Sequence, residues 1–264
     1  MNVLDTIGNT PLIDALVGRR LIAVRRRGKA LVVDLDRGLH LLLHLKMTGQ
    51  LVVVRRGVTV LAGGHPSPSL LGPMPNRTTR AVFGLSGGRA LCFNDQRKFG
   101  WIRVLDTAGL ETDPFLTRLG PEPLGDQFSL ATLRGRLAAH PREVIKAALL
   151  DQSTVAGLGN IYTDEALHRA RIHPERRCGV LTEDETRRLY AAIRMTLRHA
   201  VRHGGTSFAG YVNDFRGRSS YLARCGRVFD RAGQPCRVCG TAIERIRVGG
   251  RGTNICPQCQ PAAQ

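Results

Sequence analysis

The sequence predicts a multidomain α+β chain: an N-terminal antiparallel β-sandwich or barrel, then a helical domain, then a small ribbon organised by cysteines. Three observations lead there. Short β-rich runs separated by Gly-containing turns fill Arg19 to about Leu105. Helical periods replace them after residue 128, and two C-x-x-C pairs close the chain. With 264 residues, 42% of them hydrophobic, the chain can bury more than one core.

The strand runs are RLIAV (20–24), ALVVDLD (30–36), LHLLLHL (39–45), QLVVV (50–54), RAVFGL (80–85), ALCFN (90–94) and WIRVL (101–105), with turns such as Asp36-Arg37-Gly38 between them. GHPSPSLLGPMPN (64–76) is rich in Pro and Gly and reads as a loop. The strands stop near LGPEPLGDQF (119–128), which reads as a linker. Beyond it, Leu133 and Leu137, then Ile145, Leu149 and Leu150, fit helical faces. A longer helix carries Leu189, Ile193, Leu197 and Val201 at four-residue steps. It opens on a Thr182/Glu185 capping box and ends at Gly204-Gly205. The expected domains are 1–118, 129–224 and 225–264, with 119–128 as the linker. No internal repeat is visible.

In the last segment Cys236 and Cys239 form one C-x-x-C and Cys256 and Cys259 another, sixteen residues apart. This is the spacing of a ribbon around one tetrahedral zinc ion, with four thiolates and no position left for substrate or water. The expected ion is therefore structural. Paired disulfides or a redox-active C-x-x-C are the alternatives, weakened because Cys92, Cys178 and Cys225 are scattered singly.

Charge points to the partner. There are 39 Lys and Arg against 21 Asp and Glu, a formal +18, and most of the excess is Arg. Such a balance suits a polyanion, although a GC-rich coding bias also enriches Arg. The longest apolar runs, such as LHLLLHL, are too short and too interrupted by His to span a bilayer. No signal peptide is read at the start, and the cysteine usage suits a reducing cytoplasm.

Within DQSTVAGLGNIYTDEALHRARIHP (151–174), Gly157 and Gly159 allow a tight, closely approachable backbone, and Asn160 is placed to cap the helix that follows. A helix N-terminus approached through glycines suits a phosphate. An ordinary Asn-capped turn is the plain alternative.

Several stretches together resemble one family. KAALLDQSTVAGLGNIYTDEALHRARIHP, NDQRKFGW, HLKMTGQL, GRRLIAVRRRGKALVV, GGTSFAGYV and the final C-x-x-C, GGRGT, C-x-x-C are similar to the bacterial formamidopyrimidine-DNA glycosylase and endonuclease VIII family, specifically its formamidopyrimidine branch. The matches run in order from about Leu16 to Gln260. The resemblance implies a β-sandwich, a helix-two-turn-helix domain and a zinc finger. It implies a monomeric protein of base excision repair that flips oxidised purines such as 8-oxoguanine out of duplex DNA and cleaves at abasic sites.

By matched position, Asn160, Arg251 and Lys29 are expected at DNA phosphates, where a guanidinium binds bidentately. Met47, Arg97 and Phe99, with Lys98 beside them, are expected to enter the minor groove and fill the gap; the alternative for such a Met or Phe is core packing. Residues 204–222 correspond to the segment covering the flipped base.

Two departures stand out. Family members begin, after Met, with Pro-Glu-Leu-Pro-Glu, whose Pro amine attacks the sugar while the Glu acts as acid; this chain begins MNVLDTIGNTPL, and the resemblance implies a truncated β-sandwich in which the opening helix and first strands before LVGRRL are missing too. Thr78 stands where the family commonly has a DNA-contacting His. A start lying upstream, a paralogue that binds lesions without excision, and a weak lyase to which Lys29 and Arg251 contribute are the open readings. A zinc-ribbon nucleic-acid factor is the remote alternative. The chain as written is expected to show no 8-oxoguanine excision and at most slow cleavage at preformed abasic sites. A cytoplasmic, nucleoid-associated location follows from the DNA partner.

Overall fold

The structure, a computed structural model, describes residues 4–5, 12–65, 72–206 and 221–262. Most of the departing opening stretch, the middle of the 64–76 loop and most of the 204–222 segment lie outside these residues. The chain divides into two compact units, with the boundary between Thr117 and Arg118.

The first unit contains β1 (Leu4–Asp5), α1 (Leu12–Leu16), β2 (Leu21–Arg27), β3 (Ala30–Leu35), β4 (Leu39–His44), β5 (Gly49–Arg55), β6 (Val58–Gly64), β7 (Thr79–Leu85), β8 (Arg89–Asp95), β9 (Trp101–Asp106), α2 (Thr107–Thr112) and α3 (Pro114–Thr117). One sheet has the order β1-β9-β4-β3-β2 and the other β6-β5-β8-β7. Among the described residues all pairs are antiparallel except β1 with β9.

Strand alternation sends Val33, Leu35, Leu41, Leu43, Ile102 and Val104 toward Phe93, Leu51 and Phe83 of the second sheet. It sends Ala30, Val32, Leu42 and Leu105 toward Leu110 of α2 and Phe115 of α3. Burial on both faces explains why ALVVDL and LHLLLH read as near-continuous apolar runs. Helix α1 and strand β1, which pairs with β9, stand where the opening elements are expected to be missing, and strand β6 is absent from the sequence reading. Its residues are exposed or half-buried, so VTVLAGG lacks a buried stripe.

The second unit contains α4 (Leu130–Ala138), α5 (Ile145–Leu150), α6 (Asn160–Ala170), α7 (Glu183–Arg202), α8 (Tyr221–Cys225), β10 (Glu244–Val248) and β11 (Arg251–Ile255). Leu133, Leu137, Ile145, Leu149, Leu189 and Ile193 meet in its core with Leu158 and Leu167. The capping box of α7 is formed: Glu185 N–H donates to Thr182 Oγ1 at 3.2 Å, and Thr182 N–H donates to the Glu185 carboxylate at 2.8 Å. Val201 is 70% exposed, contrary to the expected stripe. A four-residue step overshoots a 3.6-residue turn by about 40°, so three steps from Leu189 rotate Val201 about 120° off the buried face. Ala200 is buried instead.

Residues 119–128 lie against this core. Phe128 is buried in it, and Ala156 N–H donates to the Pro121 carbonyl at 3.1 Å. The cysteine ribbon falls in the same unit as the helices.

Candidate nucleic-acid interface and metal centre

In the first unit one buried carboxylate organises two loops. Asp95, at the end of β8, accepts from Thr48 Oγ1, from Arg97 N–H at 3.2 Å and from Gly100 N–H at 2.6 Å. Thr48 Oγ1 also accepts from Arg97 N–H at 3.1 Å. The 46–48 turn and the 96–100 loop are therefore tied to one anchor. A side chain at Gly100 would collide with Phe93, which keeps that loop against the sheet.

With their backbones held inward, the side chains point out. Met47 is 49% and Phe99 52% exposed, and the Arg97 guanidinium stacks 4.6 Å from the Phe99 ring centroid. Lys98 is exposed at a positive φ of 58°. The core-packing reading does not hold for Met47 or Phe99. Thr78, by contrast, is buried and donates N–H and Oγ1 to Asn76 Oδ1 at 2.9 and 2.7 Å. It offers nothing outward.

Lys29 is exposed in the turn between β2 and β3. His44 lies near enough to feel its charge. Burial, with Lys46 and Lys29 adding to it, pushes the His44 imidazole down to about 4, so it is neutral at physiological pH.

In the second unit Asn160 does not cap α6. Gly159 is the N-cap residue and gives no side-chain bond, while Asn160 opens the first turn. Its Nδ2 donates instead to the Gly252 carbonyl at 2.9 Å, which ties the start of α6 to the ribbon hairpin. Without a side-chain cap, the first amides of α6 keep the anion-binding character of a helix N-terminus.

The hairpin turns through Gly249 and Gly250, with φ of 55° and 74°, the positive pair that a two-residue turn of matching twist requires. Val248 then pairs with Arg251, which stands exposed at the start of β11. Asn160 and Arg251 are thus brought to one place.

A buried ion pair fixes that place. Lys146 Nζ, fully buried in α5, donates to Asp164 Oδ1 at 2.6 Å, Thr253 Oγ1 at 2.6 Å and the Gly252 carbonyl at 3.2 Å. Asp164 Oδ2 accepts from Asn254 N–H at 2.9 Å. Burial pushes the Lys146 ammonium down and the Asp164 carboxyl up, and each partner opposes the shift of the other. Glu165, the next residue, accepts the amides of Arg227, Val228 and Phe229 at 2.8–2.9 Å and anchors the approach to the ribbon. The sequence reading missed Asp95, Lys146, Asp164 and Glu165. All four lie inside the quoted motifs, but nothing local marks them as buried.

The thiols gather as the C-x-x-C spacing predicts. Sγ separations are 3.4 Å for Cys239–Cys256, 3.5 Å for Cys239–Cys259 and 3.9 Å for Cys236–Cys259. A tetrahedron of Zn–S bonds has edges of about 3.8 Å, so these donors fit one structural zinc. His168, on α6, joins them: its Nε2 lies 3.5 Å from Cys236 Sγ.

Comparison with known proteins agrees with this geometry. Three family models match in order: the formamidopyrimidine-DNA glycosylase N-terminal domain over residues 2–102, the formamidopyrimidine-DNA glycosylase H2TH domain over 119–211, and the zinc finger found in FPG and IleRS over 233–262. A formamidopyrimidine-DNA glycosylase of Heliobacterium modesticaldum is 42% identical over 247 residues, covering 94% of this chain and 84% of the relative. The chain belongs to the formamidopyrimidine-DNA glycosylase family.

Solved members share its fold. The MutM (Fpg) protein of Thermus thermophilus superposes with a TM-score of 0.78 at 40% identity, over 94% of this chain and 85% of that one. Lactococcus lactis Fpg, crystallised with DNA containing an abasic site, gives 0.81 at 30% identity with the same coverage. The L. lactis protein has also been crystallised with DNA containing Fapy-dG. In this glycosylase family member the zinc-finger match spans all four ribbon cysteines.

Proposed function

We propose that this protein is a damaged-DNA-binding member of base excision repair, of the DNA glycosylase and abasic-site lyase class, whose partner is duplex DNA carrying oxidised purines or abasic sites. Family membership supports the class of activity. The observation that carries the reading is the Asp95 anchor, which holds Met47, Arg97 and Phe99 outward on fixed loops although two of the three are apolar. Outward thioether and phenyl groups flanked by cations suit insertion between bases, because they stack without demanding hydrogen bonds.

Asn160, Arg251 and Lys29 serve the phosphates. Bound zinc supplies no chemistry of its own; through Cys236, Cys239, Cys256 and Cys259 it would fix the ribbon whose hairpin carries Arg251. Lys29 and Arg251 are also proposed contributors to cleavage at abasic sites. The protein acts as a monomer in the bacterial cytoplasm, associated with the nucleoid. Among the described residues no helix is long and apolar enough to cross a membrane.

Binding tests this directly. Duplex containing an abasic-site analogue is expected to bind more tightly than intact duplex, and log affinity should fall with log salt by about 0.9 per neutralised phosphate. Arg251→Ala should flatten that slope by about one unit. Equal affinity for damaged and intact duplexes at moderate salt would overturn lesion recognition.

The wedge has its own measurement. Met47→Ala or Phe99→Ala should weaken binding to a lesion within a paired duplex, where unstacking costs about a few kcal/mol, more than binding to DNA already gapped there. Equal losses on the two substrates would rule out insertion.

A further inference from the structure

The ribbon and α6 together present five donors where a tetrahedral ion takes four. A ring nitrogen of His168 and the Sγ atoms of Cys236, Cys256 and Cys259 all lie within 4.8 Å of one another. Cys239 completes the four-thiol set through its contacts with Cys256 and Cys259, and it is exposed, whereas His168, Cys236 and Cys256 are buried. The Cys236–His168 separation of 3.5 Å is close to the edge of about 3.6 Å that a tetrahedral ion would set between a thiolate and an imidazole nitrogen.

Among the described residues the His168 ring has one polar contact, Cys236 Sγ. Its Nδ1 is buried without a hydrogen-bond partner among the described residues, so no second bond fixes the ring. Its backbone belongs to α6, which Lys146–Asp164 and Glu165 bind to the ribbon, so the imidazole stays beside the thiols whatever happens at the exposed knuckle.

We propose that His168 is a reserve zinc ligand: when Cys239 is lost, Nε2 of His168 completes a Cys3His set with Cys236, Cys256 and Cys259. Such a set is a common structural zinc site. With all four thiols present, the ring instead donates a hydrogen bond to the Cys236 thiolate, an outer contact of the kind that orients metal ligands. Cys239 is the thiol that an alkylating or oxidising agent reaches first, because it is the most exposed of the four. The reserve ligand would keep the hairpin, and with it Arg251, in place after that damage.

The inference rests on the zinc reading, and metal content separates the two. The purified wild type should hold about one zinc per chain; its absence would remove the zinc reading itself. Cys239→Ala should still hold about one zinc, and its cobalt-substituted form should lose about a quarter of the thiolate-to-metal absorption as one sulfur is replaced by nitrogen. Cys239→Ala combined with His168→Phe should fall below about half an equivalent, while His168→Phe alone should stay near one.

Zinc lost from Cys239→Ala with its helical signal intact, or zinc kept by the double variant, would overturn the proposal. A second measurement does not depend on folding of the variants. Limiting haloacetamide converts the Cys239 thiolate to a thioether with release of halide. Zinc should remain on the alkylated wild type and leave alkylated His168→Phe; equal release from both would also overturn it.

Discussion

Asp95→Ala is expected to destabilise the first unit by about 3–5 kcal/mol, because hydrogen bonds to a buried carboxylate are worth about 1.5–3 kcal/mol each and two of its three donors would be left without a partner. The two are Thr48 Oγ1 and Gly100 N–H, while Arg97 N–H keeps its second acceptor, Thr48 Oγ1. Asp95 is also bonded through its backbone: Arg80 Nε donates to its carbonyl at 2.8 Å, and its own N–H donates to the Thr78 carbonyl at 2.8 Å. Removing the side chain therefore leaves the strand paired but frees both loops.

Asp95→Asn keeps the volume and one oxygen, yet sets an amide N–H against one of the three donors. Its cost should be smaller, about 1–3 kcal/mol. Denaturant unfolding would give the stability. Binding to a lesion in paired duplex would give the functional loss, which should match that of Met47→Ala even though Asp95 is buried. A loss under about 1 kcal/mol for Asp95→Ala, together with unchanged lesion binding, would show that the loops are held by something else.

The sequence made legible what local pattern decides. Alternation and turn glycines located seven strands of the sandwich, and the Thr182/Glu185 box marked the start of α7 to the residue. C-x-x-C spacing located the thiols, because two tight turns bring four sulfurs together whatever surrounds them.

Pattern failed where tertiary partners decide. Asn160 has the chemistry of a cap, but its Nδ2 found the Gly252 carbonyl, ninety-two positions away in the chain. Lys146 before AALL looks like a solvated residue of a short helix; it is buried because Thr253 and Asp164 supply its bonds from β11 and α6. His168 looks like one polar residue in ALHRARIHP, and only the fold sets its imidazole beside Cys236.

Lys146→Met should produce the other large effect. Removing one member of a buried ion pair costs about 3–5 kcal/mol, chiefly by leaving the partner charged and unpaired. Here the stranded group is Asp164, which still accepts from Asn254 N–H. Burial already raises its carboxyl, and without the ammonium nothing comparable holds it down. The sign of the pH dependence follows. A carboxyl with a folded pKa above its unfolded value is favoured in its protonated form, so that contribution is present at low pH and lost as pH rises through the folded pKa. Lys146→Met should therefore be least destabilised in acid and most destabilised at neutral pH, where wild type keeps its pair.

Adding Asp164→Asn removes the charge but keeps an oxygen for Asn254 N–H. The double variant should be more stable than Lys146→Met alone at neutral pH, with a flatter pH profile. It should still bind DNA less well than wild type, because the Gly252 carbonyl and Thr253 Oγ1 lose the Lys146 contacts that set the hairpin beneath Arg251. Its salt slope should accordingly move toward that of Arg251→Ala, although Lys146 is buried and touches no phosphate itself. If Lys146→Met shows the same cost from acid to neutral pH, and Asp164→Asn brings no recovery, then Lys146 stabilises the hairpin by packing and its two neutral hydrogen bonds alone.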